Sequence, residues 1–509
     1  MSTNPETCLQ QAMKEHQHGN LYDADLLYAQ VLQINPENIQ ALRLKGILNR
    51  ERGDIDESLK LLKQASRLSP EDAEPVNEIA LSQMAAGELQ KAEQTLRQAL
   101  QIDPESIKAL SNLGALLQQR GHIREALHLY QLALNIQPDD VELRCNFAKA
   151  LSDAGEDEQA LQECDTALEQ SDSHPYVMTV KGAVLVDQHR YEESGDILEA
   201  AKLQDYEEDM ALVNLALARY QTGDIASATL TLQRAIELNP YNARAVADLT
   251  NCRSATGNHA GALALCEEFL EQNPGERLVV GAYALALHNA GEQEQALALS
   301  NCDQLVHVVD IKTPKGLADI NVFNNALTAQ IRTDPSLLCN PVSKSTFGGD
   351  QTGELEMDAS IFTKELLTDI QKSVAEAAEK FLGAGLAAHP VMTPAKGTQT
   401  IRAWGTLLRT GGKQTSHMHP LGWLSGVYYT HLPPDMSQSS AEAGWLEFNR
   451  PPERFHCETE PRTWRYEPRE GRLILFPSWF WHQTLPFEAS DERISIAFDI
   501  VPLTSLAML

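Results

Sequence analysis

The chain has 509 residues, 71 Asp and Glu against 41 Lys and Arg, and a formal charge of −30, which argues for more than one domain and against nucleic-acid binding as its main task. No run of 18 apolar residues occurs, so no membrane-spanning helix is expected. The eight cysteines form no CxxC pair and the first residues have no basic, then apolar, leader pattern; together these predict a soluble protein of a reducing, cytoplasmic compartment.

From the N-terminus the chain repeats itself. Pro36, Pro70, Pro104 and Pro138 stand 34 residues apart, and the same ruler meets Pro240 and Pro274 after breaking at Asp172 and Tyr206. Glycines keep the beat at Gly19, Gly53, Gly87, Gly121, Gly155, Gly223, Gly257 and Gly291, with His189 in the one place where glycine is missing. Five residues after each comes Ala or Ser, from Ala24 and Ser58 to Ala262 and Ala296. Glycine permits a tight turn out of a first helix, the small residue lets a second helix approach closely, and proline ends that second helix. The expected unit is a helix–turn–helix pair, about eight times over residues 5–306. This pattern resembles the tetratricopeptide repeat. The resemblance implies an α-solenoid that receives a protein or peptide partner, with a scaffold or dimerisation element as the alternative. Cys145, Cys164, Cys252 and Cys266 fall within the predicted helices, where they read as small buried hydrophobes.

The 34-residue beat fades after Ser300, and the domain boundary is placed at residue 306. Leu305–Ile311 is β-branched and reads as a strand. Thr333–Glu356, with two prolines and the pair Gly348-Gly349, reads as loop. Phe362, Leu366, Ile370, Val374, Ala377 and Phe381 recur at helical spacing, and Gly383 and Gly385 close that helix. Thr398–Thr410 reads as a strand, with Gly411-Gly412 as the turn after it.

Beyond that turn lie short, β-rich pieces bounded by Gly or Pro, as in an antiparallel barrel or sandwich. They are His417-Met418-His419, Leu424–Tyr429, Gly444–Phe448, Gly471–Pro477, Trp481-His482 and Arg493–Phe498. Two residues apart on a strand, His417 and His419 point the same way, and two imidazoles on one face can hold a transition metal. His482, 63 residues after His419, reaches the same point if its strand lies opposite. The bland alternative is two histidines near a turn with no ligand.

Residues 400–509 resemble the 2-oxoglutarate- and iron(II)-dependent oxygenases, and residues 307–399 do so weakly. The resemblance rests on the histidine pair, the distal His482, and Arg493-Ile494-Ser495 shortly after it. It implies a double-stranded β-helix (jelly-roll) domain over residues 307–509, with Fe(II) on His417, His419 and His482. It further implies a 2-oxoglutarate carboxylate on Arg493 and Ser495, O2 as cosubstrate, and hydroxylation of a C–H bond as 2-oxoglutarate goes to succinate. Tyr428 or Tyr429 is expected to add a hydrogen bond; they alternate faces, so one points inward. His419 departs from the family, which usually has a carboxylate there. Glu447 or Asp499 could supply that oxygen, and no positional argument chooses between them. Two alternatives stay open: a three-histidine iron dioxygenase that needs no 2-oxoglutarate, and a protein-binding scaffold with a degenerate barrel. The simple reading of Arg493 is a surface ion pair with Asp491 or Glu492, and that of the tryptophans is core and rim.

Overall fold

The computed structural model describes residues 5–170, 174–204, 206–341, 345–392, 399–438 and 440–502. Thr398 lies outside them. The chain forms two compact units. One takes in the residues up to Arg120 and Arg124–Leu143; the other takes in Gly121–Ile123 and Arg144–Pro502.

Both units contain helix pairs of the 34-residue pattern, running among the described residues from Pro5–Gln17 to Gln293–Ser300. The turn glycines adopt the left-handed conformation, with φ from 73° to 89°. His189 stands in the same place at φ 59°, so a side chain there occupies a conformation that the glycines adopt freely. Its Nδ1 lies 2.7 Å from the Tyr191 hydroxyl, a local contact that holds the turn. The small positions are fully buried, Ala24, Ser58, Ala92, Ser194, Ala228 and Ala262 among them. A further close approach is made by Gly182, where a Cβ would meet the Leu198 side chain at 2.5 Å. Cys145, Cys164, Cys252 and Cys266 are buried free thiols. No helix among the described residues is long and apolar enough to cross a membrane.

After the last pair and a single turn at Cys302–Leu305 come, among the described residues, ten strands: β1 His307–Asp310, β2 Leu338–Cys339, β3 Thr346–Gln351, β4 Gln399–Gln414, β5 Leu424–His431, β6 Leu446–Phe448, β7 Trp464–Tyr466, β8 Arg472–Pro477, β9 His482–Thr484 and β10 Arg493–Pro502. They make a seven-stranded sheet in the order β1-β8-β5-β10-β4-β3-β2 and a three-stranded sheet β7-β6-β9, with every pairing antiparallel. The two sheets face each other across aromatic side chains: Phe448 of β6 lies 4.8 Å, centroid to centroid, from Phe476 of β8. This is the antiparallel two-sheet β fold expected of the C-terminal part.

Two local expectations are corrected. The glycine-rich Thr333–Glu356 carries β2 and β3, and β4 runs through Gly411-Gly412 rather than stopping before them. The physical reason is a bulge. Gly348 and Gly411 are both left-handed, the β3–β4 register shifts beside Gly348, and a Cβ on Gly348 would meet Gly412 Cα at 3.0 Å. The expected helix spans Ile361–Gly383, started by a Ser360–Thr363 capping box. A second helix, Ile320–Arg332, was not anticipated. It covers the outer face of the large sheet: Gly405 of β4 leaves room for Ile331, and the Tyr428 hydroxyl donates to Asn324 Oδ1 at 2.6 Å.

The last repeats and the sheets share one core, in which Val280 packs with residues such as Leu473, Phe476 and Trp479. A strap between β6 and β7 adds a polar clamp. Asn251 donates to Arg454 O at 3.3 Å and accepts from His456 N at 2.8 Å; Asn289 donates to His456 O at 2.9 Å and accepts from Glu458 N at 3.0 Å. Each amide therefore satisfies both a carbonyl and an N–H of an extended segment. Phe455 of the same strap lines a small recess together with Ala216, Leu217, Tyr220, Leu232 and Cys252. Part of the repeat surface is thus already covered by the chain itself.

Candidate metal centre and anion pocket

His417 and His419 lie between β4 and β5, not inside a regular strand, and His482 opens β9. Backbone pairing still joins them. His417 N donates to His482 O at 3.1 Å and His482 N to His417 O at 2.9 Å, while His419 N donates to Ser478 O at 2.9 Å. Met418 points the other way, onto Gly281 of the helix Arg277–Asn289, where a Cβ would lie 2.5 Å from Met418 Cε. The last repeat therefore backs the histidine segment directly.

The three rings converge, with centroids 4.2 Å apart for His417–His482 and 5.0 Å for each of the other two pairs. One nitrogen from each lies within 4.8 Å of the others. Their Nδ1 atoms are all engaged: His417 with Thr415 O at 2.8 Å, His482 with Phe480 O at 2.9 Å, and His419 with Asp499 Oδ1 at 2.6 Å. Carbonyl and carboxylate oxygens only accept, so each Nδ1 carries a proton, and a neutral ring then keeps the Nε2 lone pair for a metal. The Ser345 hydroxyl lies 3.3 Å from His417 Nε2. Neutral imidazoles presenting Nε2 are what a divalent transition metal binds, so the donor set fits Fe(II).

Burial, reinforced by the neighbouring imidazoles, holds His482 well below the usual 6.5 and lowers His417 to about 3. His482 is 5% exposed; His417 keeps part of its ring at the surface, where water tempers the penalty. Below pH 6.5 the unfolded chain takes up protons that the folded chain refuses. The contribution of these two rings to stability is therefore full above pH 6.5 and falls as the pH drops towards 3, by at most about 1.4 kcal/mol per pH unit for each ring. In chelator-treated protein, unfolding free energy measured across this range is expected to decline, and His482→Asn is expected to make the decline shallower by up to one proton.

Behind the histidines, β10 places Arg493, Ser495 and Asp499 on the face that looks at the small sheet. Ser495 pairs with Thr406 of β4 and Tyr429 of β5, so these three side chains form one row beside Arg493. Arg493 is 1% exposed, with its guanidinium carbon 4.9 Å from the Tyr429 ring centroid. Its Nε and Nη1, the Tyr429 hydroxyl and the Thr406 hydroxyl are buried without a hydrogen-bond partner. Burial lowers the Arg493 pKa and raises that of Tyr429. A buried guanidinium with unused donors beside two unused hydroxyls fits a carboxylate ligand, and this is the test that 2-oxoglutarate passes.

Tyr428 is corrected out of this group. It faces the helix Ile320–Arg332 and bonds Asn324, because strand parity gives the inner face to Tyr429. Asp491 pairs with His431, not with Arg493. Glu447, 1% exposed, is held by Arg450, Arg465 and Gln483. Neither Glu447 nor Asp499 joins the three imidazoles as a ligand group; Asp499 stands one hydrogen bond out, on His419. Trp404, read as core or rim, lies 5.5 Å from the His419 ring and is half-buried beside the centre. Thr406 was not singled out from the sequence at all.

Residues 402–499 match the family described as "Putative 2OG-Fe(II) oxygenase". Tetratricopeptide-repeat families match residues 49–184 and 219–285 in overlapping segments, and residues 180–243. The chain carries tetratricopeptide repeats and a 2OG-Fe(II) oxygenase-family domain. No curated protein matches it. Among solved structures it is similar to pilF of Pseudomonas aeruginosa, at 18% identity and TM-score 0.34 over 40% of this chain and 92% of that one. It is also similar to a tetratricopeptide repeat protein from Parabacteroides merdae, at 16% and 0.40 over 46% and 93%. YrrB, described as a TPR protein with an unusual peptide-binding site, follows at 27% and 0.29 over 33% and 88%.

Proposed function

We propose that this protein is a 2-oxoglutarate- and iron(II)-dependent hydroxylase acting on a polypeptide that its repeats recruit. The observation that carries the reading is the convergence of His417, His419 and His482, with one nitrogen of each within 4.8 Å of the others and all three Nδ1 atoms engaged, which leaves the Nε2 atoms for a metal. His417, His419 and His482 would hold Fe(II). Arg493 would pair with the distal carboxylate of 2-oxoglutarate, with Ser495 and the Tyr429 hydroxyl adding hydrogen bonds. Iron held there would supply oxidation of a C–H bond by O2, with 2-oxoglutarate converted to succinate and CO2. The chain's own residues do the rest. Carbonyls and Asp499 fix the imidazole tautomers, burial keeps two of the rings neutral, and the closed row around Arg493 shuts out the water that would otherwise weaken its grip on an anion.

We place the junction of repeats and oxygenase domain at residues 306 and 307, between the last repeat helix, which ends at Ser300, and β1. The eight cysteines, none of them in a disulfide among the described residues, fit the reducing cytoplasm.

The test is to incubate the protein with Fe(II), ascorbate, 2-oxoglutarate and a peptide mixture made from a cell lysate. Succinate release and peptides 16 Da heavier are expected, both lost in His482→Ala; succinate no higher than in that variant would overturn the reading. The three-histidine donor set favours a second reading, an iron dioxygenase without 2-oxoglutarate. It predicts oxygen uptake that is unaffected by Arg493→Ala.

A further inference from the structure

The three imidazoles are not equivalent. His417 and His482 give their Nδ1 protons to neutral backbone carbonyls, whereas His419 gives its proton to the carboxylate of Asp499 at 2.6 Å. Asp499 is built in, not incidental. Its side chain is 13% exposed, the Ser425 hydroxyl donates to the same Oδ1 at 2.6 Å, and Ser425 is joined to the Ser478 hydroxyl at 2.8 Å. Ser478 closes the loop by accepting His419 N through its carbonyl. The glycine at 422 leaves room for this cluster, since a Cβ there would lie 2.5 Å from Ser478 Oγ and 3.3 Å from Asp499 Cγ.

Non-haem iron(II) oxygenase centres commonly combine two histidines with one carboxylate and leave positions open. That carboxylate cancels one unit of the metal's charge. Three neutral imidazoles alone would leave the full 2+ charge in a poorly solvated site. A carboxylate hydrogen-bonded to a ligand imidazole raises the ligand's basicity and passes part of its charge to the metal.

Resting on the function proposed above, we infer that Asp499 is a positioning residue that supplies through His419 the negative charge a ligand carboxylate would supply. The centre is then three-histidine in its ligands and singly negative in its donor set. The same strand serves both cosubstrate and metal: Arg493 at its start faces the anion pocket, and Asp499, six residues on and on the same face, reaches His419.

The test uses the full chain and Co(II) alone, titrated against a competing chelator without 2-oxoglutarate or O2. Asp499→Asn keeps the shape and removes the charge. It is expected to weaken Co(II) about 10- to 100-fold and to change the visible absorption of the bound ion. Asp491→Asn removes a carboxylate just ahead of the same strand, one that pairs with His431 outside the centre, and is expected to retain wild-type affinity. In Zn(II)-loaded wild-type protein, proton NMR is expected to show the His419 Nδ1–H well downfield of those of His417 and His482, a readout that needs no variant. Wild-type affinity and an unaltered spectrum in Asp499→Asn, or three equivalent Nδ1–H resonances, would overturn the role of Asp499 and leave the hydroxylase reading standing. Failure of the wild-type chain to bind Co(II), with His482→Ala indistinguishable from it, would overturn both.

Discussion

Replacing Arg493 with Met is expected to leave the ligand-free protein at least as stable as the wild type while abolishing its response to 2-oxoglutarate. A removed arginine usually costs stability through lost ion pairs. Here the guanidinium is fully buried, sits over the Tyr429 ring, and leaves Nε and Nη1 unbonded. Desolvating a charge without an anionic partner opposes folding, and hydrophobic replacement of buried ionic groups is often neutral or stabilising by about 1–4 kcal/mol. The same donors gain their partner when a carboxylate enters. With 2-oxoglutarate under anaerobic conditions at about 100 times its dissociation constant, the wild type is expected to gain roughly 2.7 kcal/mol, seen as a higher thermal midpoint. Arg493→Met is expected to show no such rise. A variant that unfolds several degrees earlier than the ligand-free wild type, or one that still responds to 2-oxoglutarate, would contradict the anion pocket.

The second large effect concerns the strap between β6 and β7. Phe455→Ala is expected to destabilise the unit that contains the oxygenase domain by about 3–5 kcal/mol, the usual cost of emptying a buried aromatic site. Phe455 is 8% exposed, lies 5.0 Å from the Trp481 ring and has the Arg454 guanidinium 4.7 Å above it. Its ring is one wall of a recess lined by repeat residues, and the backbone on either side is held by Asn251 and Asn289. Losing the anchor is expected to expose the strap to protease near Arg454 before the rest of the unit is cut, as limited proteolysis with mass spectrometry would show. A variant as stable as the wild type and no more readily cut there would mean that the strap merely rests on the repeats. The strap also bears on recruitment: any polypeptide bound by the repeats meets a surface part of which the strap already covers.

Much of this was legible in the sequence, for reasons that differ from residue to residue. The repeats show because each pair needs its turn glycine and its small contact residue at fixed phase, so the constraint recurs every 34 positions. Even the exception at His189 was visible, and it adopts the glycine conformation. The histidines and Arg493 show because their spacing along the chain is that of the family, although His417 and His419 sit between strands and not on one. Register was the hidden quantity. Asp499 lies 80 residues from His419, and only the pairing of β10 with β4 and β5 brings it there. The choice between Tyr428 and Tyr429 likewise turns on one residue of register, set beside a bulge between Ile494 and Ser495. Asn251 and Asn289 escaped detection because they stand 38 residues apart, off the 34-residue beat. Their role depends on a strap from a distant part of the chain, and no local pattern reports it. The glycine pair at Gly411-Gly412 was read as a turn because a bulge inside a long strand and a turn at its end use the same residue type.

The central claim is that three imidazoles from two distant segments hold one metal ion. Equilibrium dialysis of the anaerobically purified chain against Fe(II) tests it most directly. One ion per chain is predicted for the wild type, with none retained by His482→Ala at the same free concentration; a wild-type chain that holds no more Fe(II) than His482→Ala would contradict the account.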